Sequence, residues 1–201
     1  MTLDRFRPLA TRLLRPWVRG AVAVGATPDV ISVAAFLLAV GAAGAFYVAT
    51  PLAYAVGALL VAANGWLDLL DGAVARELGT DSMAGDLLDH VLDRYADVFV
   101  VAGLAAGVGR YDLGLAAVTG VLLTSYLGTQ AQAVGLDRVY GGLLGRADRL
   151  ALVGVTGGVA ALRPGLGAAG LSVVGWLLVL FAVVGHLTAV QRFVSAWRQL
   201  A

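Results

Sequence analysis

The sequence predicts an all-α integral membrane protein, with six spanning helices preceded by an amphipathic helix lying in the membrane interface. Three observations predict it. Apolar residues make up 60% of the 201 residues, charged residues 13%, and the mean hydropathy is +0.86, a balance outside the range of soluble domains. The apolar runs are long enough for about 20 residues each, the length a helix needs to cross hydrocarbon. Arginine is concentrated in the N-terminal segment and in alternate loops. Six spans with short loops use the whole length, so a single domain over residues 1–201 is expected, with 1–24 as the interfacial helix and 27–198 as the six-helix bundle.

Taken in order, residues 3–24 carry Arg5, Arg7, Arg12, Arg15 and Arg19 among Leu, Phe and Trp17, with Pro8 and Pro16 interrupting. Arginines interleaved with apolar residues suit a helix laid against anionic headgroups. Charges recur as far as Arg19 without a long apolar core, so no cleaved signal peptide is expected. Thr27 caps the first span, roughly 29–49, with Pro28 in its first turn. The second span is expected at about 52–76 and the third at about 83–108, each with its acids at the end nearest the loop between them. A fourth, about 113–134, ends in SYLGTQAQAVGL and is followed by a polar loop with Arg138, Arg146 and Arg149. The fifth is expected near 148–163 and the sixth near 168–191, before a tail holding Arg192 and Arg198.

Six spans put both termini on one side. That side also receives Arg76, Arg138, Arg146 and Arg149, whereas the other has only Arg110 and Arg163. By the positive-inside rule the acids then face the cytoplasm, in a cytoplasmic membrane. The small-residue runs Gly41–Gly44 and Gly103–Gly107 permit close helix packing. Cysteine is absent, which excludes disulfides, thiolate metal sites and cysteine nucleophiles, and a net charge of +1 gives no sign of a nucleic-acid partner.

The chain is organised around residues 68–93, DLLDGAVARELGTDSMAGDLLDHVLD. Asp68 and Asp71 are three apart, Asp89 and Asp93 four apart, so each pair occupies one helical face. Each carboxylate placed within a bilayer costs about 2.5 to 3.5 kcal/mol on the insertion scale. Arg76 and Arg94 are too few to neutralise these four together with Asp86 and Asp97. An all-oxygen set of high charge suits Mg2+, Mn2+ or Ca2+ rather than zinc, and a two-metal site is the expectation; helix-capping, solvated aspartates are the alternative. Gly72 and Gly85 leave room for a substrate to approach the backbone. An ion-coupled transporter would place its acids near mid-span and show related halves, whereas here they gather at one mouth and no repeat is visible.

Written as a pattern, the stretch is DxxDGxxAR, eight residues, then GxxxDxxxD, and it resembles the signature of the CDP-alcohol phosphotransferases, membrane enzymes of phospholipid synthesis. Asp68, Asp71, Gly72, Ala75, Arg76, Gly85, Asp89 and Asp93 fill every fixed position. The resemblance implies displacement at the lipid-linked phosphate of a CDP-lipid, CDP-diacylglycerol or CDP-archaeol, by an acceptor hydroxyl, with release of CMP. It implies two Mg2+ or Mn2+ ions per site, bound by Asp68, Asp71, Asp89 and Asp93, with Asp93 also placed to take the acceptor's proton. Gly72, Ala75 and Gly85 would lie against the nucleotide, and Arg76 would hold the pyrophosphate. Ser82, six residues past that arginine, would touch the nucleotide or cap the third helix. TPDVIS resembles the TPNxIT segment of the family, with Asp29 in place of Asn.

Ser125 and Tyr126, with GLLGRADR further on, resemble the branch that uses phosphorylated polyols, inositol phosphate or glycerol phosphate. Arg146, Arg149 and Ser125 would then bind the acceptor phosphate. Basic residues usual after the Ser-Tyr pair are replaced by Gly128 and Gln130, which keeps serine or free inositol as alternative acceptors. A homodimer is implied by the resemblance alone. His90 is read as a variable position and His186 as a hydrogen-bonded interior residue. Asp86 and Asp97, which continue the stripe of Asp89 and Asp93, are read as lining the cavity, hydrated or paired with Arg94, and the tryptophans as interface anchors and packing.

Overall fold

The computed structural model describes residues 7–137 and 142–200, with side chains from residue 13 onward. The expectations for Arg5 and Arg138, and for the side chains of Arg7 and Arg12, lie outside the described residues. Seven helices occur among them: α1 (Arg7–Ala23), α2 (Pro28–Val48), α3 (Pro51–Leu78), α4 (Met83–Gly107), α5 (Tyr111–Ala133), α6 (Arg146–Leu162) and α7 (Val173–Leu200). An antiparallel hairpin of β1 (Gly167–Ala168) and β2 (Leu171–Ser172) precedes α7.

Local chemistry accounts for the boundaries around the acidic stretch. α2 and α3 begin alike, with a Thr cap and a Pro in the first turn: Thr27 Oγ1 accepts from Val30 N at 3.4 Å and Thr50 Oγ1 from Ala53 N at 3.3 Å. Gly79, at φ 62°, ends α3 in the left-handed conformation that glycine adopts without strain. Three residues later Ser82 starts α4, its hydroxyl accepting from Gly85 N at 3.0 Å. This short reversal returns α4 beside α3, so that their acid-bearing turns face each other.

α2 packs between α3 and α4, α3 rests on α6, α6 on α7, α7 on α5, and α5 on α4, which closes a ring of six helices. Its centre is apolar, with Phe46, Leu104, Leu178 and Phe181 buried. The expectation of close packing holds at Gly103 and Gly107, where a Cβ would collide with the backbone of Ala43 and of Phe46 in α2. It does not hold at Gly44, which has no atom within 4 Å of such a Cβ. Large apolar side chains such as Leu37, Leu59, Leu115 and Leu187 are exposed on the outside. α2, α3, α5 and α7 are long and apolar enough to cross a membrane; α4 carries more charge, and α6 has 17 residues.

Three expectations about the ends change. α1 runs straight through Pro16 rather than breaking there, and it seats Leu14 and Val18 on Leu70 and Val74 of α3 while Arg15 and Arg19 stay exposed. The last helix starts at Val173, not near 168, because Ala169 (φ 50°) and Gly170 (φ 76°) turn the chain back and pair Gly167 with Ser172. α7 also continues to Leu200, so Arg192 belongs to no tail. It is buried against α5, where its Nη1 donates to the Thr124 carbonyl at 2.6 Å.

Candidate active site

The facing turns of α3 and α4 bring one carboxylate oxygen each from Asp68, Asp71 and Asp89 within 4.8 Å of one another. Asp71 is buried, and the other two are half-buried. Asp93 stands beside this trio and is joined to it by Arg146, whose Nη1 is 2.6 Å from Asp68 Oδ1 and whose Nη2 is 2.6 Å from Asp93 Oδ1. Arg94 Nη2 approaches Asp93 at 3.5 Å, and its Nη1 donates to Ser125 Oγ. Asp71 is fixed from α2, since Ser32 Oγ donates to its Oδ2 at 2.7 Å.

Of the residues assigned to an acceptor phosphate, the structure brings Arg146 to the acids, and Ser125 reaches them only through Arg94. Arg149 points elsewhere: its Nη2 donates to the buried Asp97 at 2.7 Å, with Arg94 the more distant partner of that carboxylate at 3.7 Å. The expected Arg94 pair is therefore secondary, because α6 places Arg149 one turn below Arg146 and directly against α4. His90 turns back on its own helix, with Nδ1 2.7 Å from the Asp86 carbonyl. His186 is exposed on α7 rather than interior, with Nε2 3.4 Å from Thr119 Oγ1.

Two larger spaces open on the acids. A cavity of about 720 Å³ is lined by Thr27, Asp29, Ser32, Asp71, Gly72, Ala75, Arg76, Ser82, Gly85 and Asp89, and so contains all five residues expected at the nucleotide. Glycine shapes its wall: a Cβ on Gly85 would come 3.2 Å from Ser82 Oγ, and one on Gly72 3.3 Å from Arg76 Nη1. On another side, an apolar groove of about 760 Å³ runs between α3 and α6 over Ala58, Leu59, Ala62, Leu150, Gly154 and Val155, and reaches Asp68. The trio offers oxygen donors only, which fits a hard divalent cation and not zinc.

Two polar residues at the site were not singled out in the sequence. Ser32 closes the TPDVIS segment four residues after Pro28, a spacing that was read only as a helix start. Asn64, the one asparagine in the chain, precedes Asp68 by four residues and so shares its face. A polar residue inside an apolar run was the available signal for both.

Fold and site define the class: a multi-pass membrane protein with an oxygen-only carboxylate cluster between an apolar groove and a cavity that holds an arginine. The chain belongs to the CDP-alcohol phosphatidyltransferase family, whose pattern matches residues 25–184, and it is a transferase of phospholipid biosynthesis. It is 33% identical over 204 residues to an archaetidylinositol phosphate synthase of Methanothermobacter thermautotrophicus, covering 98% of this chain and 95% of that one. It is 34% identical over 198 residues to a phosphatidylinositol phosphate synthase of Mycobacterium tuberculosis, covering 95% and 88%. The crystal structure of that mycobacterial enzyme with CDP-DAG bound superposes with a TM-score of 0.78 at 30% identity, covering 92% of this chain and 94% of the other. The same enzyme in complex with manganese and citrate also gives 0.78, covering 92% and 88%.

Proposed function

We propose that this protein moves the phosphatidyl or archaetidyl group of a CDP-lipid onto a hydroxyl of a phosphorylated polyol, at a site holding two Mg2+ or Mn2+ ions. The observation that carries the reading is the convergence of the Asp68, Asp71 and Asp89 carboxylates where the cavity with Arg76 and the apolar groove meet. A substrate with a charged nucleotide head and long apolar tails has one end suited to each space. The relatives' names favour inositol phosphate over glycerol phosphate as acceptor.

In the reaction, the acceptor oxygen bonds to the lipid-linked phosphorus, the phosphorus–oxygen bond to CMP breaks, CMP leaves, and the hydroxyl proton passes to a carboxylate. Asp68, Asp71 and Asp89 would hold the divalent ions, which when bound would neutralise charge on the pyrophosphate. Gly72, Ala75, Ser82 and Gly85 keep the cavity wall low enough for the nucleotide, and Arg76 contributes a two-pronged donor to the pyrophosphate. Asp93, held by Arg146 and Arg94, is the carboxylate that takes the proton. Arg146, with Ser125 behind Arg94, attracts the acceptor phosphate towards this side of the cluster, while Arg149 is taken up by Asp97.

Six helices cross the membrane in this reading, with α1 on its surface. The site faces the cytoplasm, and two copies form a dimer. Arg146, Arg149 and Arg192 are engaged inside the bundle, yet the bias of the exposed arginines persists: Arg15, Arg19, Arg76 and Arg198 against Arg110 and Arg163. The test is CMP release from radiolabelled CDP-lipid with a panel of polyols and polyol phosphates. Turnover with inositol phosphate, abolished by EDTA and restored by Mn2+ or Mg2+, is expected. Turnover with serine or free inositol alone would overturn the acceptor assignment.

A further inference from the structure

Two polar atoms beneath the carboxylates, Asn64 Oδ1 and Arg146 Nε, are buried without a hydrogen-bond partner among the described residues. Both residues line one small cavity of about 10 Å³ together with Ser32, Asp68, Asp89 and Asp93, which is room for about one water. Asn64 is 1% exposed, and the direction of its amide is determined, because Nδ2 donates to the Ala35 carbonyl at 2.8 Å. Turning the amide over would set oxygen against oxygen, so Oδ1 is the free end. A buried acceptor left unpaired destabilises a fold by more than an ordinary hydrogen bond contributes, and leucine would fill the same space in an apolar bundle.

The two unpaired atoms are complementary, one donor and one acceptor. We propose that the cavity seats a single water that is also a ligand of the divalent ion, and that Asn64 is the residue that orients it. The water accepts from Arg146 Nε, donates one proton to Asn64 Oδ1 and the other to the Asp93 carboxylate, and keeps its second lone pair for an ion held by Asp68 and Asp89. Both of its protons and both lone pairs are then used. Mg2+ and Mn2+ retain waters when bound by few carboxylates, and groups that hydrogen-bond to ligands set affinity from outside the coordination sphere. This rests on the metal site proposed above.

The test is Mn2+ affinity of the purified full-length protein in detergent, read from the free-ion signal by electron paramagnetic resonance without CDP-lipid or turnover. Asn64→Leu and Asn64→Asp both lose the Nδ2 bond to Ala35, but only Asn64→Asp keeps an oxygen at the cavity. Asn64→Leu is expected to weaken Mn2+ binding about 10- to 100-fold, with Asn64→Asp near wild type or tighter. Equal affinity in Asn64→Leu and wild type would overturn the proposal, as would an equal loss in both variants, which would assign the effect to the Ala35 bond. Should Asn64→Leu fail to run as a single species on gel filtration, Asn64→Val is judged by the same criterion. Wild-type protein that binds no Mn2+ would instead bring down the metal site itself.

Discussion

Two groups of charged residues meet α4 about two helical turns apart, at Asp89 and at Asp97, and they are built on opposite terms. Around Asp97 the charge is matched: Arg149 donates to the buried carboxylate at 2.7 Å and Arg94 stands at 3.7 Å. Around Asp68, Asp71 and Asp89 it is not. Arg146 reaches Asp68 and Asp93, Ser32 supplies a neutral hydroxyl to Asp71, and the three carboxylates still crowd within 4.8 Å. A matched pair in a bundle interior serves the fold, whereas an excess of one sign beside an open cavity is held there for something that arrives. The same side chain on the same helix therefore has two roles, decided by its neighbours.

The largest effect is expected from unbalancing the matched pair. Asp97→Leu leaves Arg149 buried and loses about 3–5 kcal/mol of stability, read as a drop in Tm in detergent; Asp97→Leu with Arg149→Leu recovers most of it, because the uncompensated charge is gone. A double variant as unstable as the single would put Asp97 with the unmatched group. Asp71→Asn should do the reverse, lowering CMP release more than about 100-fold while Tm holds or rises as like charges separate. Loss of Tm together with activity would mean that Asp71 serves the fold. Ser32→Ala, which leaves the Asp71 carboxylate held by the Gly72 amide alone, should cost about 10-fold in CMP release.

Smaller effects lie away from both groups. Gly103→Leu drives a side chain into the Ala43 backbone and should cost about 1–3 kcal/mol of stability, visible in Tm, with the activity of the folded fraction unchanged. Arg110→Ala breaks the exposed pair with Asp112, whose two contacts are 2.9 and 2.7 Å, and should leave both Tm and CMP release at wild-type values. Charge by itself, on this view, predicts nothing; its burial and its balance do.

Helix positions were legible because they depend on local rules: the length of apolar runs, Thr-Pro starts at Thr27 and Thr50, and a Gly-to-Ser reversal between Gly79 and Ser82. The start of α7 was not, since Leu166 to Ser172 reads as apolar and small whether helical or folded into a hairpin. His186 could not be placed either, because periodicity in a helix apolar all round does not tell the lipid face from the core. The acid spacings put Asp68 with Asp71, and Asp89 with Asp93, on common faces, and the motif named the family before any coordinates.

By itself, then, the sequence determined the class of protein, the approximate helices and the residues of the acidic stretch, because caps, spans and a spaced motif are written within a few turns of chain. The tertiary structure alone decided which cation meets which acid: that Arg146 clasps Asp68 and Asp93, that Arg149 is drawn off to Asp97, that Arg192 enters the bundle, and that Ser32 and Asn64 attend the site. Those pairings join α2, α3, α4, α5, α6 and α7 across tens of residues of sequence, and only the angle and depth at which helices pack select one guanidinium over another three residues away.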